Sequence, residues 1–181
     1  MALGITREEA GLAATFIPTE PWGVIMDWVI SNATATIIAF SNGHASIYLS
    51  TGGGFIGGES HESVRTAAKK MIAAAVECQP YTHASSEYPL PQRQEEVLFY
   101  LLTDAGIFTT SASNEDLGNH HHPLWKLHDA AQGIITRFRL NSGQQIECSA
   151  NPFATSPATG RWPDREADFM KLFDQEAGGT A

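Results

Sequence analysis

The segment from Trp22 to Ser50, WGVIMDWVISNATATIIAFSNGHASIYLS, decides the fold of this chain. Its apolar stretches are interrupted by Ser31-Asn32 and by Asn42-Gly43, and both pairs are typical of turns. For Asn42-Gly43 we expect a two-residue type I′ turn, because both central residues of that turn need a positive φ. We therefore predict three consecutive antiparallel strands, which cover about residues 22–30, 33–40 and 44–50.

The first of these strands is apolar on both faces, since Val, Ile, Met and Trp occupy both sides of its alternation. A strand that is covered on both faces lies in the interior of a sheet. Asp27 stands between Met26 and Trp28, so we expect a buried carboxyl with a raised pKa, which makes it a candidate acid. The alternative is a position near a strand end, where the carboxylate would bond to a turn amide.

Helical patterns occupy much of the remaining chain. A capping box, Thr6 with Glu9, predicts a short helix from Arg7 to Phe16. Apolar residues at helical spacing predict a helix from about His61 to Cys78, with Ser60 as its N-cap. Further helices are predicted over about 123–141, with Pro123 as first helical residue, and over 164–176.

A second hairpin is predicted after the first long helix. Its strands cover about 96–103 and 107–111, with a turn at 104–106. Residues 80–94, rich in Pro, Ser and Gln, are predicted to be a long mobile or functional loop.

The predicted elements form one α+β domain over residues 1–181. Its sheet is mainly antiparallel, with about five strands in a three-strand meander plus a hairpin, and helices pack on its faces. Residues 149–163 are predicted to connect to the last helix, and residues 177–181 to be a frayed tail. This element order resembles that of profilin-like and roadblock-like scaffolds. The resemblance concerns element order only, so it assigns no site residue.

Composition limits the classes of partner. The chain of 181 residues carries a net charge of −9, so we predict no nucleic-acid partner. It lacks the pattern of a secretory signal and an apolar run long enough to span a membrane, so we expect a cytoplasmic protein without a membrane partner. We expect Cys78 and Cys148 to be buried thiols, and a single disulfide is the alternative. Charged residues are only 17% of the chain, which favours association.

A glycine-rich segment follows the third strand. Gly52-x-Gly54-x-x-Gly57 matches the dinucleotide fingerprint, in which glycines let the backbone approach a phosphate. Against this, the preceding strand belongs to a meander, and a purely structural connection is the alternative. In a shifted frame Glu59 occupies the lysine position of a P-loop, where it would repel phosphate, so we predict no P-loop. The candidate ligand-binding residues are Gly52, Gly53, Gly54, Gly57, Gly58, Ser60 and His61.

A histidine cluster precedes the third long helix. His120, His121 and His122, with His128, are candidate ligands for Zn, Ni or Cu. Successive side chains diverge, however, and the spacing matches no standard zinc motif. For His128 the alternative is a hydrogen-bonded histidine at the border of the core.

Two of the four tryptophans are candidate interface residues. Trp125 lies off the apolar stripe of its helix and Trp162 stands beside Pro163, whereas Trp28 is assigned to the core.

Three functions follow from these features. The favoured one is a non-catalytic protein-interaction or scaffolding domain that forms a homodimer, with an unknown protein partner and no cofactor. It is favoured because no catalytic motif is assembled and the sheet has edges to cover. The second is a small-molecule or nucleotide-binding protein, or an enzyme, that uses residues 52–58 and the following helix start. The third is a metal-dependent hydrolase built on the histidine cluster.

Overall fold

A computed structural model describes residues 6–13, 17–31 and 33–142. Within these ranges the chain forms seven strands and three α-helices. The strands are β1 (Gly23–Ile30), β2 (Ala33–Phe40), β3 (Ala45–Leu49), β4 (Gly54–Phe55), β5 (His83–Ser85), β6 (Glu96–Thr103) and β7 (Gly106–Ser113). The helices are α1 (Glu62–Cys78), α2 (Asn114–Leu117) and α3 (Trp125–Ser142).

All strands belong to one antiparallel sheet with the order β4-β3-β2-β1-β6-β7-β5. The predicted α+β class and antiparallel sheet are thus confirmed, and β1 lies at the centre of the sheet. The predicted number of five strands is wrong for the described residues, because β4 and β5 form the two edges. Strands of two and three residues are too short to show the alternation that identifies a strand in sequence. The resemblance to profilin-like and roadblock-like scaffolds stays a prediction.

The two faces of the sheet hold separate apolar clusters. On one face, which we call the helix face, α1 and α3 pack against each other and against the strands. Both predicted helical stripes are buried there. Large buried side chains of this face include Met26, Trp28, Ile37, Ile47, Met71, Phe99, Leu101, Leu127, Ile134 and Phe138.

We call the opposite face the loop face, because side chains from turns and loops pack on it. Its buried cluster consists of Trp22, Ile25, Ile38, Leu98, Tyr100 and Leu102. Ala10 and Leu12 pack against this cluster from the N-terminal segment, and Tyr88 packs on it from the segment between β5 and β6.

The turn at Asn42-Gly43 differs from the predicted type I′ turn. Gly43 has a positive φ of 94°, whereas Asn42 is not among the described non-glycine residues with positive φ. Phe40 N donates to His44 O at 2.9 Å, so the loop has three residues. The Asn42 side chain holds this form, since Oδ1 accepts from His44 N at 3.0 Å. Such a loop combines a type I turn with a left-handed glycine.

The N-terminal helix predicted for Arg7–Phe16 is wrong where the structure describes it, because residues 7–11 form a single turn. The capping box itself is present: Thr6 N donates to Glu9 Oε2 at 2.8 Å, and Glu9 N donates to Thr6 Oγ1 at 3.3 Å. Gly11 has a φ of 68°, and a left-handed glycine ends a helical turn.

Two predicted helix starts are also wrong. Ser60 belongs to a 3₁₀ turn, Gly58–Ser60, and the extended N-cap of α1 is His61. Pro123 precedes α3 by two residues, because His122 closes a turn there, with its carbonyl accepting from Trp125 N at 3.1 Å. The connector 149–163, the helix 164–176, the tail 177–181, Cys148 and Trp162 lie outside the described residues.

Candidate functional site

An open recess lies where the end of α1 meets the start of α3. It has a volume of about 270 Å³. We call it the aromatic recess, and its lining residues are Glu77, Cys78, Tyr81, His120, His121, His122, Pro123, Trp125 and Lys126. The fold thus brings the predicted histidine cluster and the predicted interface residue Trp125 to one place.

Aromatic rings form part of the wall of this recess. The rings of His120 and Trp125 have centroids 4.7 Å apart and are tilted by 48°. Tyr81 follows α1 in a 3₁₀ turn, Gln79–Tyr81, and 57% of its surface is exposed. Aromatic rings are therefore accessible to a binding partner at this recess.

An ion pair crosses the rim of the recess. Lys126 Nζ on α3 donates to Glu77 Oε2 on α1 at 2.6 Å. This hydrogen bond raises the pKa of Lys126 above its ordinary value, so the ammonium stays charged. Since both side chains are exposed, the pair adds little to stability. It leaves the rim polar without adding net charge.

Cys78 forms the floor of the recess and is buried as a free thiol. Its Sγ donates to Pro123 O at 3.4 Å. Burial raises the pKa of the thiol, so the neutral form predominates at neutral pH. A nucleophilic cysteine needs the opposite shift, so these surroundings do not activate the thiol of Cys78.

The three consecutive histidines point to different surroundings. His120 and His121 are exposed, whereas His122 is half-buried, with Nδ1 accepting from Leu124 N at 3.2 Å. Within the described residues, no group of three or more His, Cys, Asp or Glu side chains is placed to hold a metal ion. Metal binding by this cluster stays a prediction.

His128 lies apart from the cluster, on the helix face. Its Nε2 is 3.1 Å from Gln132 Nε2, and its ring meets Trp28 edge-on with centroids 6.0 Å apart. Burial lowers the pKa of His128 to about 4, so the imidazole is neutral at physiological pH. This geometry agrees with the alternative of a core histidine.

The glycine-rich segment connects β3 to α1 through a tightly packed backbone. A Cβ at Gly54 would collide with the Ile47 carbonyl, and one at Gly58 would lie 2.6 Å from both Phe138 and Val64. These close approaches explain why glycine is needed at positions 54 and 58. The segment also contains the other candidate residues of the predicted ligand site, namely Gly52, Gly53, Gly57, Ser60 and His61. Ligand binding at this segment stays a prediction.

The predicted burial of Asp27 is confirmed. The residue is 7% exposed, and burial raises the pKa of its carboxyl. Its Oδ1 accepts from Thr36 Oγ1 on β2 at 2.5 Å, in mid-strand and not beside a turn. Burial raises the pKa of Tyr100, and the negative charge of Asp27 adds to this effect; the Tyr100 hydroxyl donates to Pro89 O. The carboxyl is thus part of a buried polar group on the loop face.

Sequence reasoning missed Tyr81 and Glu77 as members of the recess. Both belong to the end of α1 and the turn after it, far in sequence from Trp125. The available signal was Pro80, which stops a helix and so places its neighbours at an element boundary.

Comparison with family models, with curated proteins and with solved structures finds no match to this chain. Among the described helices, none is both long and apolar enough to cross a membrane.

Proposed function

We propose that this chain is a non-catalytic protein-interaction domain that associates with a second copy of itself. One observation carries the proposal: Tyr81, His120 and Trp125 converge on a single open recess with a paired ionic rim. Aromatic residues surrounded by polar side chains are the usual arrangement at the centre of a protein interface.

The aromatic side chains are well suited to binding at small entropic cost. Trp125 is half-buried and its ring contacts His120, so its position is already restricted in the free chain. An aromatic anchor with few remaining rotamers loses little conformational freedom when a partner covers it.

Charge also favours the recess over other surfaces as a contact between copies. Two copies of a chain with a net charge of −9 repel each other on average. At the recess, Glu77 is neutralised by Lys126, and the histidines there are not acidic. Local repulsion at the recess is therefore weaker than the net charge of the chain would suggest.

The test is sedimentation velocity over a concentration series from low micromolar to near millimolar. We expect a reversible dimer whose dissociation constant rises at least tenfold in Trp125→Ala or Tyr81→Ala, since removal of an interface anchor costs more than about 1.4 kcal/mol.

The matched control is Leu90→Ala. Leu90 is 65% exposed and lies outside the recess, so its truncation should leave the dimer unchanged. A wild-type chain that stays monomeric over the whole series would refute the proposed self-association.

A further inference from the structure

We infer that a cavity beside the turn between β1 and β2 binds a small hydroxy acid, whose carboxylate pairs with the guanidinium of Arg93. We call it the arginine cavity, and its volume is about 290 Å³. Its lining includes Val29, Ser31, Thr34, Gln92, Arg93 and Gln94. The inference does not depend on the proposed self-association, because the cavity shares no lining residue with the aromatic recess.

The arginine cavity lies where the β1–β2 hairpin meets the segment that enters β6. Val29 and Thr34 pair with each other near the end of this hairpin, and Ser31 belongs to its turn. Residues 91–94 form the facing wall, because they precede β6 and β6 pairs with β1. Both walls are therefore attached to neighbouring strands of the sheet.

Glu96 fixes the segment that carries Arg93. Its Oε2 accepts from Gln92 N at 2.8 Å and from Arg93 N at 3.2 Å, and Glu96 N donates to Arg93 O at 3.3 Å. Neither Glu95 nor Glu96 lines the cavity. Since only backbone groups of Arg93 take part in these contacts, its side chain is not needed to hold the wall.

Arg93 provides a positive charge that no described carboxylate neutralises. The ion pairs in the described part of the chain involve Arg7, Arg65 and Lys126, and Arg93 belongs to none of them. Among the described residues that line the cavity there is also no Asp or Glu. In a chain with a net charge of −9, these surroundings form a local site of attraction for an anion.

The donors of the cavity suit a carboxylate better than a phosphate. Phosphate sites usually combine positive charge with a series of backbone N–H groups. Here the N–H groups of Gln92 and Arg93 already bond to Glu96, and Arg93 is the one cation among the described lining residues. A single guanidinium presents two parallel N–H donors, which match the two oxygens of a carboxylate.

The remaining polar side chains indicate a ligand with hydroxyl groups. Within the described residues, the side chains of Thr34 and Gln94 form no hydrogen bond with another protein group. A hydroxyl and a primary amide can each donate and accept, and so can the hydroxyl groups of a ligand. Val29 adds an apolar contact for the carbon chain. A hydroxy acid combines these hydroxyl groups with the carboxylate that Arg93 requires.

The test is a titration of the full chain, labelled with a stable nitrogen isotope, followed by two-dimensional NMR at constant ionic strength. The probes are lactate, glycerate and gluconate, which are hydroxy acids of increasing size. Because Arg93 is exposed and water screens its charge, we expect a dissociation constant in the millimolar range. The amide signals of Ser31, Thr34, Arg93 and Gln94 should therefore shift and approach saturation at about 20 mM of the best probe.

The first variant removes the charge of the cavity. In Arg93→Gln the dissociation constant of the best probe should rise at least about fivefold, because a charge-assisted hydrogen bond is lost. The matched control is Arg137→Gln, which removes an exposed charge from α3, outside the cavity, and should leave binding unchanged. The amide spectrum of each variant establishes that it is folded.

The second variant removes a hydroxyl at nearly constant side-chain volume. We expect the dissociation constant to rise about threefold in Thr34→Val and to change little in Thr34→Ser, which keeps the hydroxyl. Equal binding by the two variants would contradict the contact between Thr34 and the ligand.

The outcomes decide between an anion site and an ordinary surface depression. Saturable binding of a hydroxy acid that is weakened in Arg93→Gln and kept in Arg137→Gln supports the inference. It is overturned if no probe gives saturable shifts at the cavity, or if Arg93→Gln binds as well as the wild type. Sorbitol has the hydroxyl groups of gluconate without its carboxylate, so equal binding of sorbitol would exclude the ion pair. Inorganic phosphate that binds more tightly than every hydroxy acid would reject a carboxylate as the ligand.

Discussion

The two faces of the sheet are both apolar, yet they are covered in different ways. Two long helices, α1 and α3, cover the helix face with continuous stripes of buried side chains. Single side chains from turns and loops, such as Leu12 and Tyr88, pack on the loop face.

The two faces also differ in the polar groups that they contain. The loop face contains the buried carboxyl of Asp27 and the indole N–H of Trp22, which has no hydrogen-bond partner in the described part of the chain. The helix face contains His128, which is kept neutral and bonded to Gln132. On the loop face the Asp27 carboxyl is bonded to Thr36, whereas the indole N–H of Trp22 is buried without a partner in the described part of the chain.

The strongest way to test this comparison is the same substitution on each face. Leu127 on α3 is fully buried, and Leu98 on β6 is 8% exposed. We expect Leu127→Ala to lower the free energy of unfolding by about 4 kcal/mol, and Leu98→Ala by about 2 kcal/mol, because thin cover can collapse into the space left behind. Denaturant unfolding measures both values. Equal losses would show that the two faces are packed equally well.

A second test uses the pH dependence of His128. Its folded-state pKa, about 4, lies below the ordinary value of 6.5, so the unfolded chain binds more protons between these values. Stability from this group is present above pH 6.5 and is lost as the pH falls towards 4, by at most about 3 kcal/mol. Denaturant melts at several pH values measure the loss. In His128→Phe the slope of the unfolding free energy against pH should flatten. An unchanged slope would mean that another group takes up the proton.

Asp27 should show the opposite trend. Its folded-state pKa is raised, so its contribution to stability is largest below the unfolded pKa and is lost as the pH rises through the folded pKa. Asp27→Asn removes the buried charge and keeps an acceptor for Thr36. We expect this variant to be more stable at pH 7 by about 1 kcal/mol, with little gain at pH 3. Paired melts of variant and wild type at the two pH values test this. If Asp27→Asn is less stable than the wild type at pH 7, the interactions of the buried carboxylate outweigh the cost of burying its charge.

The smallest expected effect concerns Trp22. Trp22 is 5% exposed, and its ring stacks on Phe40 at a centroid distance of 6.2 Å. Trp22→Phe removes an unsatisfied donor but also some packing, so the net change in stability should stay within about 1 kcal/mol. Thermal melts of this variant and of Trp28→Phe make the comparison. We expect the smaller loss of stability in Trp22→Phe, and a larger loss there than in Trp28→Phe would contradict this expectation.

The elements that sequence predicts well are those with long, regular patterns. The alternation from Trp22 to Ser50 predicts β1, β2 and β3, and helical spacing predicts α1 and α3. Local sequence patterns give a wrong prediction where a distant contact or a single side chain determines the conformation of the backbone. Asn42 shows this, because its side-chain bonds to His44 and Ala10 select a three-residue loop.

The candidate site was predictable only in part. Trp125 and the histidines carry signals of their own, but their meeting with Tyr81 depends on how α1 packs against α3. The edge strand β5 was not predictable either, because a strand of three residues shows no alternation. Sequence patterns report the period of an element and not which elements become neighbours.

The central position of β1 has a consequence for the synthesis of the chain. One edge of this very apolar strand pairs with β2, which follows directly in the sequence. The other edge pairs with β6, which is synthesised much later, as the pairing of Gly23 with Leu102 shows. At typical rates of elongation, the intervening segment takes about 4 to 16 s to emerge from the ribosome. During that time the nascent chain presents an apolar strand with one unpaired edge. Aggregation is therefore a greater danger for this protein during its translation than after folding, and slower translation lengthens the exposure.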